Sequence, residues 1–449
     1  MGKNKEAIYD ARELGAGKML VLGIQHMFAM FGATVLVPLI TGLDVASTLL
    51  FAGLGTLLFH LITGGKVPAF LGSSFAFLGG YAAIETLCKK EGLDNFSAYA
   101  GVGVACAGLV YLILALFFKI FGAKKVMRFF PPIVTGPIII AIGLTLSSSA
   151  ITNCNENWWI ALVAIAVIII CNIWGKGMIK IIPILMGVIV SYVVALIVKD
   201  VDFTLVKEAD WFGLPVVWDH TALSLFGKSD TNISLIITSI ITIMPIALAT
   251  MIEHIGDICA ISSTVGKNYI EKPGLHRTLM GDGLATAMAA LFGAPANTTY
   301  GENTGVLALS KVYDPRVIRL AAIFAALLSF SPKFAALINS MPKSVVGGVS
   351  LVLYGMISAV GVRNVVENKV DFTKSRNVII AALILVLSIG INYSEAGAVV
   401  FHAGEATISL SGLAVAAIVG IVLNAVLPGK DYEFGKDLQG DTAVDFELR

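Results

Sequence analysis

Apolar runs of about twenty residues follow one another along nearly the whole chain, with short polar breaks between them. A run of roughly that length spans the hydrocarbon core of a bilayer. Fourteen such segments are counted, at 18–40, 45–64, 68–87, 97–121, 130–150, 157–174, 179–198, 233–263, 277–293, 295–311, 316–331, 343–361, 377–394 and 405–428. The third and tenth break the pattern. One opens with PAFLGSSFAFLGG from Pro68, the other with PANTTYGEN from Pro295. The tenth runs through β-prone Thr298, Thr299 and Tyr300, and reads as a helix only after Asn303. Non-helical backbone at membrane depth is tolerated only where protein buries it or it lines a cavity. Both segments are therefore expected to be broken helices containing short antiparallel strands. The one long polar stretch, 199–232, carries Trp211 and Trp218 and is expected to be a loop or small hairpin at the membrane surface.

The pattern also repeats. Gln25-His26 lies in the first segment, and Glu253-His254 lies in the eighth, 228 positions on. Pro68-Ala69 and Pro295-Ala296 open the two broken segments, 227 positions apart. PPIVTGPIIIAIG from Pro131 echoes MPKSVVGGVSLVLYG from Met341. Two halves of seven segments must insert with opposite orientation. Inverted repeats with broken helices in matching places point to a transport site near mid-membrane. The expected layout is a cytoplasmic N-terminus at 1–17, a first repeat at 18–198, an external connection at 199–232, a second repeat at 233–428 and a cytoplasmic tail at 429–449.

Composition agrees with an all-α polytopic membrane protein. The chain is 57% hydrophobic and 14% charged, against about 25% charged in a soluble domain. Mean hydropathy is +0.87. With the N-terminus inside, 24 of the 31 Lys and Arg fall on cytoplasmic segments, as the positive-inside rule requires. The first apolar run is a full span with no cleavage site after it, so no cleavable signal peptide is expected. Net charge of +1 says nothing about nucleic acid, but no basic stripe exists, and no nucleic-acid partner is expected. Cys88, Cys106, Cys154, Cys171 and Cys259 have no metal-like spacing and read as inert apolar thiols. Glu253-His254 with Asp257 is not HExxH, because it supplies no second His on one face. No metal, cofactor or enzymatic activity is expected.

Near the second broken segment, four acidic residues fall inside or at the edge of segments: Glu253, Asp257, Asp282 and Glu302. Glu253 and Asp257 are four apart and share one helix face, where they can hold a proton between them. Asp282, between Gly281 and Gly283, reads as a cap or hinge. His26 reads as a polar residue between helices or a proton relay. Ser73, Ser74, Asn303 and Thr304 are expected to cap the half-helices after the breaks. Backbone N–H groups near Phe75 and Gly301 would then face a cavity with carboxylates and the aromatic rings of Phe75, Tyr300 and Tyr354. Such a cavity suits a flat ring with alternating N–H and C=O groups, such as a pyrimidine-2,4-dione.

QHMFAMFGATVLVP, PAFLGSSFAF, EHIGD, PGLHR, NTTYGENTGV and GGVSLVLYG together resemble the nucleobase–ascorbate transporter family, over nearly the whole chain. ENTGVLALSK is similar to the family signature, with Ser310 at its later Thr-like position. The resemblance implies a core of segments 1–4 and 8–11 and a gate of segments 5–7 and 12–14. It also implies a homodimer in the bacterial cytoplasmic membrane and uptake of uracil or a related nucleobase driven by a proton gradient. Substrate contacts implied are the side chains of Glu253 and Glu302 and the backbone of Phe75 and Gly301. Ala33, Tyr300, Ser350 and Tyr354 would form the pocket wall. Glu253, Asp257, Glu302 and His26 are the implied proton-coupling groups. Glu302 resembles the uracil branch, whereas Asp257 looks like the purine branch. The alternative reading is therefore a xanthine- or urate-type purine:proton symporter of the same fold.

Overall fold

The computed structural model describes residues 7–227, 231–403, 406–430 and 432, without the side chains of Met178, Ile181, Glu302 and residues 402–409. The first half contains α1 (Ala16–Thr41), α2 (Val45–Ile62), α3 (Leu78–Lys90), α4 (Phe96–Phe121), α5 (Ala123–Val126), α6 (Pro132–Cys154), α7 (Trp158–Ile173), α8 (Met178–Ile181) and α9 (Pro183–Ile197). Then come α10 (Thr204–Glu208), α11 (Ile233–Ile243), α12 (Ala247–Val265), α13 (Leu275–Leu291), α14 (Gly301–Ser310) and α15 (Pro315–Leu328). The chain ends through α16 (Pro332–Asn339), α17 (Lys343–Glu367), α18 (Ser375–Asn392) and α19 (Gly412–Val426). Strands β1 (Leu71–Ser73) and β2 (Asn297–Thr299) precede α3 and α14, and β3 (Ala398–Ala403) with β4 (Ala406–Ser411) forms a hairpin before α19.

Seven helices among the described residues have the length and apolarity to cross a bilayer alone, or eight if the bent pair α15 and α16 is one span. One of them is the 33-residue run Ile233–Val265, in which α11 and α12 are joined through a short 3-10 turn at Pro245. The helices fall into two packed groups. In one, α13 lies against α2 and α4, and α15 against α1 and α2. In the other, α17 lies along α6 and α7, α7 on α9, and α18 on α6 and α19. Small residues let the backbones approach, as membrane helices require where lipid offers no hydrophobic drive to associate. A Cβ on Gly283 of α13 would sit 2.6 Å from the Gly108 carbonyl of α4, and one on Gly143 of α6 would sit 2.2 Å from the Tyr354 carbonyl of α17.

Both broken segments contain their strand. β1 and β2 pair antiparallel, with Leu71 opposite Thr299, Gly72 opposite Thr298 and Ser73 opposite Asn297. The flanking backbone is satisfied by neighbours. Tyr300 N–H donates to Phe70 O (3.1 Å) and Ser74 N–H donates to Ala296 O (2.8 Å). Leu71 N–H donates to Thr56 Oγ1 (2.9 Å), and Ala296 N–H donates to the Tyr81 hydroxyl (2.9 Å).

Sequence expectation and structure differ in several places. The 199–232 stretch, expected as a loop or small hairpin, is loop among the described residues, with α10 and two 3-10 turns in it and Trp211 and Trp218 well exposed. α16 was not foreseen, because its eight residues are too few to register as a span. The last segment, expected as a helix over 405–428, is strand β4 from Ala406 to Ser411, and its helix begins at Gly412, where the Ser411 side chain accepts from Ala414 N–H. Asp282 is neither cap nor hinge, since it lies in the middle of α13.

Outside the bundle, residues 8–12 form a strap. Ile8 N–H donates to Lys311 O (2.9 Å), and Tyr313 N–H donates to Ile8 O (2.8 Å). Ala11 N–H donates to Asp314 Oδ2 (2.7 Å), Arg316 Nη1 donates to Asp10 Oδ1 (2.8 Å), and Tyr9 donates to Val265 O (2.8 Å). The strap thus joins the ends of α12 and α14. The Arg12 side chain, hydrogen-bonded to Asp10, holds the Asp10 carboxyl well below the usual carboxylate range, and Arg316 adds to the effect. With the native value depressed, this contribution is full above the ordinary carboxylate range and is lost as pH falls through the native value.

Two outcomes follow from this packing. A Cβ on Gly72 would meet the Tyr300 ring at 2.5 Å, whereas one on Gly79 meets nothing within 4 Å. Gly72→Ala should cost ~2 kcal/mol or more through overpacking, and Gly79→Ala should be neutral, as thermal unfolding in detergent will show. Asp314→Ala should speed amide exchange at Ala11 about tenfold at pH 7, the loss of one charge-assisted hydrogen bond, while amide exchange at Leu71 and Thr299 stays unchanged.

Candidate functional site

The strand pair forces two helices to start in the interior of the bundle. A 3-10 turn, Phe75–Phe77, leads into α3, and Tyr300 precedes α14. Neither start has a side-chain cap. The residues expected to cap them are engaged elsewhere or lack partners. Ser73 Oγ donates to Thr34 O of α1 (2.7 Å), and Asn303 Nδ2 donates to Pro68 O (2.6 Å). The hydroxyls of Ser74 and Thr304 are buried without a hydrogen bond. Helix N-termini carry unpaired N–H groups and the positive end of the dipole. Those of α3 and α14 are left uncapped around the strand crossing.

α12 supplies the carboxylates. Asp257 is buried and Glu253, one turn earlier, is half-buried. Thr299 Oγ1 of β2 donates to Asp257 Oδ2 (3.2 Å). A Cβ on Gly301 would lie 3.1 Å from Asp257 Oδ1, so this carboxylate sits directly beside the first residue of α14. The backbone of Glu302 occupies the first turn of α14; its side chain lies outside the described residues.

Behind this face is a contact that the sequence reading missed. His254 Nδ1 of α12 lies 2.9 Å from Asp282 Oδ2 of α13, and both side chains have no exposure. The same nitrogen is 3.3 Å from Thr299 Oγ1. Asp282 can sit there because the glycines beside it bring α13 against its neighbours. A Cβ on Gly281 would meet Phe59 of α2 at 2.9 Å, and one on Gly283 would meet Tyr111 of α4 at 2.4 Å. The signal in the sequence was the Gly-Asp-Gly triplet inside an apolar helix.

The wall residues converge. Ala33, Phe75, Tyr300 and Tyr354 belong to one buried apolar cluster. Phe75 and Tyr354 meet edge to face at 5.7 Å between ring centroids. The Tyr300 hydroxyl donates to Ser73 O (3.0 Å). Ser350 is buried one turn before Tyr354, and the Tyr354 hydroxyl lies near the hydroxyls of Ser350 and Ser149 without an aligned hydrogen bond to either. His26 of α1 meets the residue that follows Glu302. Its Nδ1 is 3.2 Å from Asn303 Oδ1, an acceptor, so Nδ1 carries the proton in that contact.

A model described as Permease family matches residues 17–397. The uracil permease of Bacillus caldolyticus is 41% identical over 423 residues, covering 92% of this chain and 93% of that protein. The uracil permease of Bacillus subtilis (strain 168) is 40% identical over 433 residues, covering 94% of each. The putative pyrimidine permease RutG of Escherichia coli (strain K12) is 38% identical, covering 91% of this chain and 89% of that protein. Among solved structures, the transmembrane domain of the cyanobacterial bicarbonate transporter BicA aligns with TM-score 0.63 at 14% identity, covering 93% of this chain and 99% of that one. SLC26A9 aligns with TM-score 0.61 at 14% identity, covering 93% of this chain and 66% of that one. The two solved structures share the fold, and the family model with the sequence relatives fixes the membership: this chain is a membrane permease of the nucleobase–ascorbate transporter family.

Proposed function

We propose that this chain carries uracil together with a proton across the bacterial cytoplasmic membrane, by alternating access of a core against a gate. The observation that carries the reading is the convergence of two uncapped helix starts, at Phe75 and Gly301, with the carboxylate face of α12. Uracil offers ring N–H groups to carboxylates and carbonyl oxygens to backbone N–H groups. Glu253 and Glu302 accept from the ring, the backbone of Phe75 and Gly301 donates to it, and Ala33, Tyr300, Ser350 and Tyr354 enclose it. Glu253, Asp257 and Glu302, with His26 as relay, handle the proton. Two neighbouring carboxylates in a cavity titrate as a set, so substrate and proton bind together. Relatives named as uracil permeases support the choice of substrate.

The fold is read as fourteen segments when β1 is counted with α3, β2 with α14, and α11 with α12, and when α16 is left out as too short. The 227-residue spacing of the two breaks supports two inverted halves. The two helix groups support the division into core (α1–α4 and α11–α15) and gate (α6–α9 and α17–α19). Both termini are placed in the cytoplasm, and the working unit is a homodimer.

Uptake of labelled uracil into bacterial cells lacking their own permease tests the reading. Uptake should collapse with a protonophore and ignore excess xanthine; block by xanthine would move the assignment to a purine carrier and make Asp257 the deciding residue. Glu253→Ala or Glu302→Ala should abolish uptake without loss of membrane insertion, and full uptake by either variant would remove the assigned site. Asp282→Ala strands His254 without its partner, which should cost about 1–3 kcal/mol. Thermal unfolding of the purified variant measures that loss, and uptake should fall with it because His254, which contacts Thr299, loses the carboxylate that orients its ring.

A further inference from the structure

One cavity among the described residues, of about 700 Å³, lies where the C-terminal ends of α1 and α6 meet the N-terminal end of α17. That volume is within the range of small-molecule sites, roughly 300–1,000 Å³. Ser149 and Val346 are among its lining residues, and Val346 is buried. Val346 is one turn before Ser350 and two turns before Tyr354 on α17, and Ser149 neighbours the Tyr354 hydroxyl. Tyr354 in turn stands edge-on to Phe75. The Tyr354 side chain therefore divides this cavity from the candidate site.

The lining has a definite chemistry. Thr152, Asn153 and Asn339 bring hydroxyl and amide groups, set against aliphatic side chains such as Leu39 and Ile40. At the mouth, Lys343 Nζ is 2.9 Å from Glu156 Oε1, so these charges offset each other, and Asp200 leaves an excess of negative charge. An anion is disfavoured there. A neutral ring with N–H and C=O edges is matched by the side-chain amides, which both donate and accept.

We propose that this cavity is a second, outer binding site for a neutral nucleobase, occupied before the base passes Tyr354. The proposal rests on the function and orientation proposed above, which place this end of the bundle outside the cell. The base lies between aliphatic walls with Asn153 and Asn339 at its edges, and the ion pair at the mouth keeps charged solutes out.

The test is thiol labelling of the full-length chain in intact cells. Asn153→Cys is exposed to a membrane-impermeant thiol reagent, with and without uracil, and the unsubstituted chain gives the background from the native cysteines. The same measurement is made with Glu253→Ala added, which disables the inner site. Asn339→Cys reports from the other wall and carries the test should Asn153→Cys fail to insert. Labelling from outside is expected. Uracil at four times the outer site's Kd should slow it about fivefold, as 1 + [L]/Kd requires, in both backgrounds. Labelling that uracil does not slow, or protection that vanishes with Glu253→Ala, overturns the outer site. Uracil uptake by the parent chain is measured alongside. Its absence overturns the proposed function, whereas uptake without protection overturns the outer site alone.

Discussion

The constraint on which the structure depends is the need to satisfy backbone polar groups where two helices stop inside the membrane. Each unsatisfied group there costs several kcal/mol. The chain meets the demand by pairing the two interruptions with each other, in three residues of antiparallel ladder. Neighbouring side chains accept what the ladder leaves over: the Thr56 hydroxyl takes Leu71 N–H, and the Tyr81 hydroxyl takes Ala296 N–H. Asn297 fastens β2 further, since its side-chain N–H donates to Phe51 O of α2 and its own carbonyl accepts from Thr286 of α13. The helix starts at Phe75 and Gly301 carry no side-chain cap, and the first N–H groups of a helix have no partner within it; in the function proposed above, the ligand takes up that bonding capacity.

The acidic residues are legible in this light as parts of one frame. Asp257 takes a hydrogen bond from Thr299 and lies beside Gly301, so it couples α12 to the broken segment. Asp282 reaches the same threonine from the other side through His254. A contiguous polar chain therefore runs from α13 through α12 to β2. Buried polar networks are costly when half-satisfied and rigidifying when complete. This one ties α12 to α13 and β2 behind the face on which Glu253 stands, while His254 Nε2 and Asp282 Oδ1 have no hydrogen-bond partner among the described residues. Asp257 thus has an anchoring role in the geometry, alongside the proton-coupling role proposed for it.

Much of this could be read before any coordinates. Proline-opened interruptions at matching places marked both strands, and β-prone residues marked the second, because a sequence that cannot continue a helix at membrane depth must pair with something. The carboxylate face of α12 followed from helical spacing alone. Other features have no local signature. The Asp282–His254 contact joins positions 28 apart that helix packing brings together, and spacing within either helix says nothing of it. The expected caps were misassigned for a similar reason: Ser73 and Asn303 have capping chemistry, but α1 and Pro68 lie closer to hand. The strap is composed of ordinary loop residues whose partners are about 300 positions away. The second strand of the β3–β4 hairpin was hidden because Ile408 and Leu410 run on into the apolar helix that follows.

The strengths of the contacts differ between the inside of each helix group and the seam between them. Within the first group, backbone ladder bonds, the Asp282–His254 contact and the strap's charge-assisted bonds join α1, α12, α13 and α14 into one body. At the seam, the contact next to the candidate site is the edge-to-face pair of Phe75 and Tyr354. Such a pair contributes about 0.5–1.5 kcal/mol beyond the area it buries, and parting it exposes no backbone hydrogen bond. A displacement of α17 relative to the strands would therefore leave every ladder bond intact while opening the wall of the site. Rigidity on one side of the ligand and a weak aromatic closure on the other is the division of labour that alternating access needs, because the groups that recognise the base must stay fixed while the wall that encloses it moves.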